Sequence, residues 1–238
     1  MGSDALRPMA RPRLYEQVVQ RIREYVVESG LDAGDKLPAE RELAQRLGVS
    51  RASVKQAIVV LDVQGLVEVR HGGGTYLTSA KLDLEPVEEL VERRRRLPDV
   101  LEAREAMETK LAELAAERRT KEDLDALEDA LRYMAEEIDN GEQGIEGDRR
   151  FHAAVTAAAR NPILAEFMTS IAEQIAESRT ESLHQPGRPK RSLAQHYRIF
   201  DGISLGDPKA AAAAMKRHLR TVAKVRLLSW NPDEPGED

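Results

Sequence analysis

The chain has 238 residues, a net charge of −6, 4% aromatic residues and no cysteine. Disulfides, thiolate zinc fingers and cysteine nucleophiles are thereby excluded, and a cysteine-free chain fits a reducing cytoplasm. The length suffices for two domains, and abundant Ala, Glu, Arg and Leu favour helices over sheets. Charge is uneven: residues 1–80 hold 11 Lys and Arg against 10 Asp and Glu, and residues 81–238 hold 25 against 32. An acidic protein can still bind nucleic acid through a locally basic end. The first residues, MGSDALRPMARPR, form no apolar leader, and the longest apolar run, KAAAAAMK, is too short to span a membrane.

Residues 12–80 read as one domain. RLYEQVVQRIREYVVESG repeats apolar residues at Leu14, Val18, Ile22 and Val26, which predicts an amphipathic helix ended by Gly30. LDAGDKLP is a loop. AERELAQRL follows as a short helix turning Leu43, Ala44 and Leu47 inward, and GVS breaks it. Ser50 is an expected N-cap for RASVKQAIVVLDVQG, which buries Val54, Ile58 and Leu61 and stops at Gly65. Two short helices across a three-residue break define a helix-turn-helix. The second helix presents Arg51, Ser53, Lys55 and Gln56, donors suited to phosphates or base edges. LVEVR-HGGG-TYLTS then reads as two short strands around a glycine turn, a wing with His71 at its tip. HGGG also matches the oxyanion loop of some esterases; that reading requires a Gly-x-Ser-x-Gly elbow elsewhere, none is expected, and it is set aside.

Residues 81–98 read as a linker with a short helix over 86–97. Arg93–Arg96 form a solvated basic face of it, and Pro98 marks its end. Residues 99–230 show no strand pattern. Helices are expected at 99–118, 121–140, 145–160, 162–183, 190–205 and 207–228, with 86–97 as a possible seventh. Short connections make them an antiparallel bundle. The fold class is therefore mostly α: an N-terminal winged helix-turn-helix followed by an antiparallel bundle of six or seven helices. Residues 231–238, NPDEPGED, are expected to be disordered.

Within the bundle, Asp148 and His152 stand four apart and share one helix face. His196 and His218 lie late in two other helices among apolar neighbours (Leu193, Ile199, Phe200; Met215, Leu219, Val222), which places both near buried faces. An Asp and three imidazoles from three helices suit Zn²⁺, Ni²⁺, Mn²⁺ or Fe²⁺ if the helices converge. The alternative is a set of ordinary helix residues, with Asp148 as a cap. His184 falls outside the pattern as a surface residue, and Asn161 before Pro162 ends a helix.

GDKLPAERELAQRLGVSRASVKQAIVVLDVQGLVEVRHGGGTYL resembles the GntR family of bacterial transcription regulators. LPAERELA, VSRASVKQA and GGGTYL fall in the family's order and spacing. The resemblance implies a homodimer on a palindromic DNA site. It places Arg41, Arg51 and Lys55 in the major groove, Ser50 and Ser53 on phosphates, and His71 and Gly72 at the minor groove. Lys55 stands where the family usually has Arg, and a lysine cannot make the planar bidentate contact. The segment from LPDVLEAREAMETKLAELAAERRT through MKRHLRTV is similar to the FCD ligand-binding domain of the FadR subfamily. That resemblance implies that Asp148, His152, His196 and His218 hold a divalent metal, zinc foremost. A small carboxylate effector of the 2-hydroxy or 2-keto acid type would complete its coordination. Arg104 would grip the carboxylate, its alternative being an i, i+4 pair with Glu108. The expected protein is a cytoplasmic DNA-binding regulator, a repressor switched by the acid, with no membrane partner. Two alternatives remain: a purely structural metal without an effector, and a metal-dependent enzyme. The enzyme reading is disfavoured because no His-Glu-x-x-His motif is present.

Overall fold

The computed structural model describes residues 14–70, 73–78 and 86–229. The chain forms two compact units that divide between Glu92 and Arg93.

In the first unit, α1 (Leu14–Glu28) and α2 (Glu40–Leu47) both pack on α3 (Arg51–Val63). Val18, Ile22 and Val26 of α1 are buried, as are Val54, Ile58 and Leu61 of α3. Leu14, expected inside, is 50% exposed because the helix begins with it, before the packed stripe starts. The break between α2 and α3 follows from local chemistry. Gly48 takes the left-handed conformation (φ 67°) and donates its N–H back to Ala44 O, which ends α2. Two residues later the Ser50 side chain accepts from Ser53 N and starts α3. β1 (Val67–Arg70) and β2 (Gly74–Leu77) pair antiparallel in the register Val67↔Leu77 to Arg70↔Gly74, forming the wing. The wing-tip residues assigned from sequence, His71 and Gly72, lie outside the described residues, as do residues 79–80 of the first domain, 81–85 of the linker and the tail 231–238.

The helix α4 (Val87–Arg118) runs through Pro98, so the expected boundary there is absent and the segments 86–97 and 99–118 are one helix. Proline removes one backbone donor and disfavours a helical residue before it. Here Pro98 is exposed while Leu90, Leu97 and Leu101 are buried, and the apolar stripe carries the helix across it.

The second unit continues with α5 (Lys121–Asp139), α6 (Ile145–Ala158), α7 (Pro162–Ser170), α8 (Ala172–Leu183), α9 (Arg188–Ser204), α10 (Pro208–Val222) and α11 (Arg226–Ser229). The single helix expected over 162–183 is two, interrupted at Ile171 (φ −114°, ψ 17°), and the one over 207–228 stops at Val222. Asn161 starts a helix rather than ending one: its side chain accepts from Leu164 N at 3.2 Å. α5 packs on α6 and α9, and α9 packs on α10. Leu111, Leu127, Leu131, Phe151, Val155, Ile199, Ile203, Met215 and Leu219 make their common core. Each fully buried side chain of this size contributes about 1.5–3 kcal/mol.

Two glycines set how closely these helices meet. A Cβ on Gly147 of α6 would lie 2.4 Å from Met134 Cα of α5, and one on Gly202 of α9 would lie 2.6 Å from Ala211 N of α10. The helices that carry His196 and His218 thus approach backbone to backbone, and the helix that carries His152 does so against α5. Among the described residues no helix is long and apolar enough to cross a membrane.

Candidate functional site

α6, α9 and α10 bring the four sequence-predicted ligands together. Asp148, His152, His196 and His218 are all buried, and one ligand atom from each lies within 4.8 Å of the others. His196 Nε2 is 3.4 Å from Asp148 Oδ1, and His152 Nε2 is 3.8 Å from Asp148 Oδ2. The imidazole centroids of His196 and His218 are 4.6 Å apart, and Phe151 stacks on His196 at 4.5 Å. Asp148 does not cap its helix; Gly144 occupies that position and the carboxylate turns inward.

The electrostatics keep the acid charged and two of the imidazoles neutral. Burial alone would raise the Asp148 carboxyl, but His152, Arg179, His196 and His218 outweigh it and hold it well below the usual carboxylate range. Burial drives the His196 imidazole down to about 3, opposed by Asp148 and assisted by His152 and Arg179. Burial also pushes His218 well down, helped by His196 and His152. A deprotonated acid beside neutral imidazoles is the protonation state that metal binding requires.

Surrounding side chains orient the rings. Gln195 Nε2 donates to Thr221 Oγ1 at 3.0 Å, which turns its Oε1 toward His218 Nδ1 at 3.2 Å. That oxygen can only accept, so Nδ1 carries the proton and Nε2 is left as a lone pair. Glu108 lies in ion-pair contact with His152 Nδ1 and accepts from Arg104 Nε at 2.6 Å. Burial works against the Glu108 charge, but Arg104 and His152 hold its carboxyl well below the ordinary range. Arg104 Nη1 also donates to Ser178 Oγ at 2.7 Å. Arg179 Nε donates to Asp148, and Ser192 Oγ donates to Asp148 Oδ1 at 3.4 Å.

The fit of a metal rests on the donors left over. His196 Nδ1 and Nε2, His152 Nε2 and His218 Nε2 are buried without a hydrogen-bond partner. Such groups cost roughly 1–3 kcal/mol each when unsatisfied. Carboxylate oxygen and imidazole nitrogen are ligands that zinc and its neighbours accept, so the residues present fit the ion.

Arg104 forms the i, i+4 pair with Glu108 that was its alternative reading, and the pair is buried rather than solvated. Glu108, Arg179, Ser192 and Gln195 were not singled out from sequence. Only Glu108 carried a signal, its spacing from Arg104. His184 is exposed, as expected.

In the first unit, Arg41, Arg51 and Lys55 are exposed and Ser50 is half-buried. Ser53, expected on the surface, is buried; its Oγ is 3.0 Å from Ser50 Oγ, inside the capping turn. Contrary to expectation, one Gly-x-Ser-x-Gly string does occur, GISLG at 202–206. It ends α9 instead of following a strand, and Ser204 Oγ donates to Asp201 O at 3.0 Å, so it is no nucleophile elbow.

A helix-turn-helix with a wing, followed by a helical bundle with an enclosed Asp–His₃ cluster, defines a DNA-binding regulator with a separate second domain. Comparison with known proteins gives the family. The profile of the bacterial regulatory proteins, gntR family, matches residues 14–77, and that of the FCD domain matches residues 99–221. The chain belongs to the GntR family, as a DNA-binding transcription regulator of the FadR type with an FCD domain, and not to an enzyme family. It is 34% identical over 203 residues to the HTH-type transcriptional regulator LutR of Bacillus subtilis, covering 82% of this chain and 93% of the relative. It is 31% identical over 232 residues to the Uxu operon transcriptional regulator of Escherichia coli, covering 92% and 88%. The solved structure of E. coli McbR/YncC shares the fold, with a TM-score of 0.51 at 18% identity over 93% of this chain and all of that one.

Proposed function

We propose that this regulator is a homodimeric repressor whose DNA affinity is switched by a small organic acid bound beside a divalent metal in the FCD domain. The observation that carries the reading is the group of buried, partnerless imidazole nitrogens around a charged Asp148. Asp148, His152, His196 and His218 would hold the ion, most simply Zn²⁺. When bound, the ion supplies a Lewis-acidic centre that favours ligands with adjacent oxygens, such as 2-hydroxy or 2-keto acids. Arg104 uses two of its donors on Glu108 and Ser178, and a guanidinium has five, so it can also grip a carboxylate in the same enclosure. Glu108 and Gln195 fix the imidazole tautomers. Arg179 and Ser192 hold Asp148.

The winged units supply the readout. Arg41, Arg51 and Lys55 would enter the major groove, Ser50 would hold phosphate, and His71 and Gly72 would reach the minor groove. Ser53 acts in this reading by fixing Ser50 rather than by touching phosphate. The acid switches binding only through different affinities for two arrangements of the dimer.

Selection from a random duplex pool tests the reading. It should recover a palindrome, and a 2-hydroxy or 2-keto acid should weaken binding to it with metal present and leave it unchanged after chelation. Recovery of a palindrome whose affinity ignores every such acid in both states would leave a DNA-binding regulator with a structural metal.

A further inference from the structure

The enclosure around Asp148 contains a guanidinium whose terminal nitrogens have no partner among the described residues. Arg188, in the first turn of α9, is 6% exposed. Its Nε donates to Ser182 Oγ of α8 at 3.1 Å, but both terminal nitrogens are buried without a hydrogen-bond partner. Arginine cannot escape this by giving up its proton, and burying an unpaired charge is costly.

Arg188 shares the buried face of α9 with a member of the Asp–His₃ cluster. Arg188, Ser192 and His196 are all buried and follow one another at four-residue spacing, so they form one stripe of α9, about 12 Å long. The middle residue donates to Asp148 and the last stands beside it. Asp148 is also the acidic group whose field reaches Arg188, opposing the lowering that burial and Arg191 impose on the guanidinium. α8 completes the wall: Ser178 holds Arg104, Arg179 holds Asp148 and Ser182 holds Arg188.

Charge counting points the same way. Among the described residues, the buried formal charges are three arginines (Arg104, Arg179, Arg188) and two carboxylates (Glu108, Asp148). The adjoining Arg93–Glu181 and Arg96–Glu177 contacts join opposite charges. The enclosure therefore carries an excess of one positive charge before a divalent ion adds two more. A monocarboxylate leaves most of that excess unmatched.

We propose that the acid carries a second carboxylate and that Arg188 grips it, the effector class being a 2-hydroxy dicarboxylate rather than a monocarboxylate of the lactate type. This rests on the metal and organic-acid reading above and deepens it. The 2-hydroxycarboxylate end belongs at the Asp–His₃ cluster and the distal carboxylate on the Arg188 guanidinium.

Lactate and malate make a matched pair, since both are 2-hydroxy acids and malate has one carboxylate more. Racemic samples of each are titrated calorimetrically into zinc-loaded wild type and into Arg188→Met, which keeps the aliphatic stem and removes the charge. Wild type should bind malate at least about tenfold more tightly than lactate, the scale of one charge-assisted contact. In Arg188→Met the two acids should bind alike, through loss of malate affinity alone. Without acid, Arg188→Met should melt at or above the wild-type temperature, because an unpaired buried charge has gone. A lower melting temperature with the malate preference retained makes Arg188 structural and overturns the proposal. If wild type binds the acids equally, or Arg188→Met weakens both alike, the proposal falls while the organic-acid reading stands. If zinc-loaded wild type binds neither acid, both fall.

Discussion

Glu108→Gln removes one charge and changes almost no volume, at the point where Arg104 meets His152. Arg104 and Glu108 are both essentially inaccessible to water, so the substitution leaves a guanidinium buried beside a neutral amide. Breaking a buried pair from one side costs about 3–5 kcal/mol. For a chain of this size that lowers the melting temperature by roughly 10 °C. The carboxylate that fixes the His152 tautomer is lost as well, and outer-shell changes of this kind weaken metal binding by about 10–100-fold. Glu105→Gln, on the same helix, is the control. Glu105 pairs with Lys216 at 3.0 Å and Arg220 at 3.4 Å on the surface, where such contacts contribute about 0–1 kcal/mol. Differential scanning fluorimetry and competition of Zn²⁺ against a chromophoric chelator read both effects. If Glu108→Gln melts and binds zinc like Glu105→Gln, the buried Arg104–Glu108–His152 chain does not support the site.

Gly202→Ala should destabilise by about 1–3 kcal/mol and weaken zinc binding, because a Cβ 2.6 Å from Ala211 N forces apart the helices that carry His196 and His218; unchanged melting in the same assays would show that the helices have room. The metal-free protein should lose stability in acid. The folded-state values of His196, about 3, and of His218 lie below the unfolded value of about 6.5, so the folded state binds fewer protons there. That stability is complete above about pH 6.5 and is lost as the pH falls toward the folded value; urea titrations at stepped pH that show none of this loss would contradict the assignment. Arg51→Ala should cost about 1–3 kcal/mol of affinity for the selected palindrome, measured by fluorescence anisotropy at fixed salt, and an unchanged affinity would remove Arg51 from the interface.

Much of this was legible in the residues because the signals are local. Ser50 and Gly48 fix the helix-turn-helix through bonds that span three or four residues, and the four-residue step from Asp148 to His152 fixes a shared face. His196 and His218 could be nominated because their apolar neighbours mark a buried stripe. The errors arose where tertiary packing decides. Nothing local marks Ile171 as a break, since the run from Pro162 to Leu183 contains neither glycine nor a further proline. Pro98 does carry a local stop signal, yet buried Leu97 and Leu101 on either side override it. The roles of Arg179 and Arg188 depend on which helices face one another across the bundle, and no spacing within α8 or α9 encodes that. A buried arginine and a solvated one look alike in a sequence this rich in them.

In the proposed switch an organic acid and a metal act together at Asp148, His152, His196 and His218. Thermal melting of zinc-loaded and chelator-stripped protein, each with a panel of 2-hydroxy and 2-keto acids, tests it most directly, since a bound ligand raises the melting temperature according to its concentration relative to its dissociation constant. Zinc alone should raise the melt, and at least one acid should raise it further only in the zinc-loaded form. An acid that stabilises the stripped protein equally, or a zinc-loaded protein that no acid moves, would contradict it.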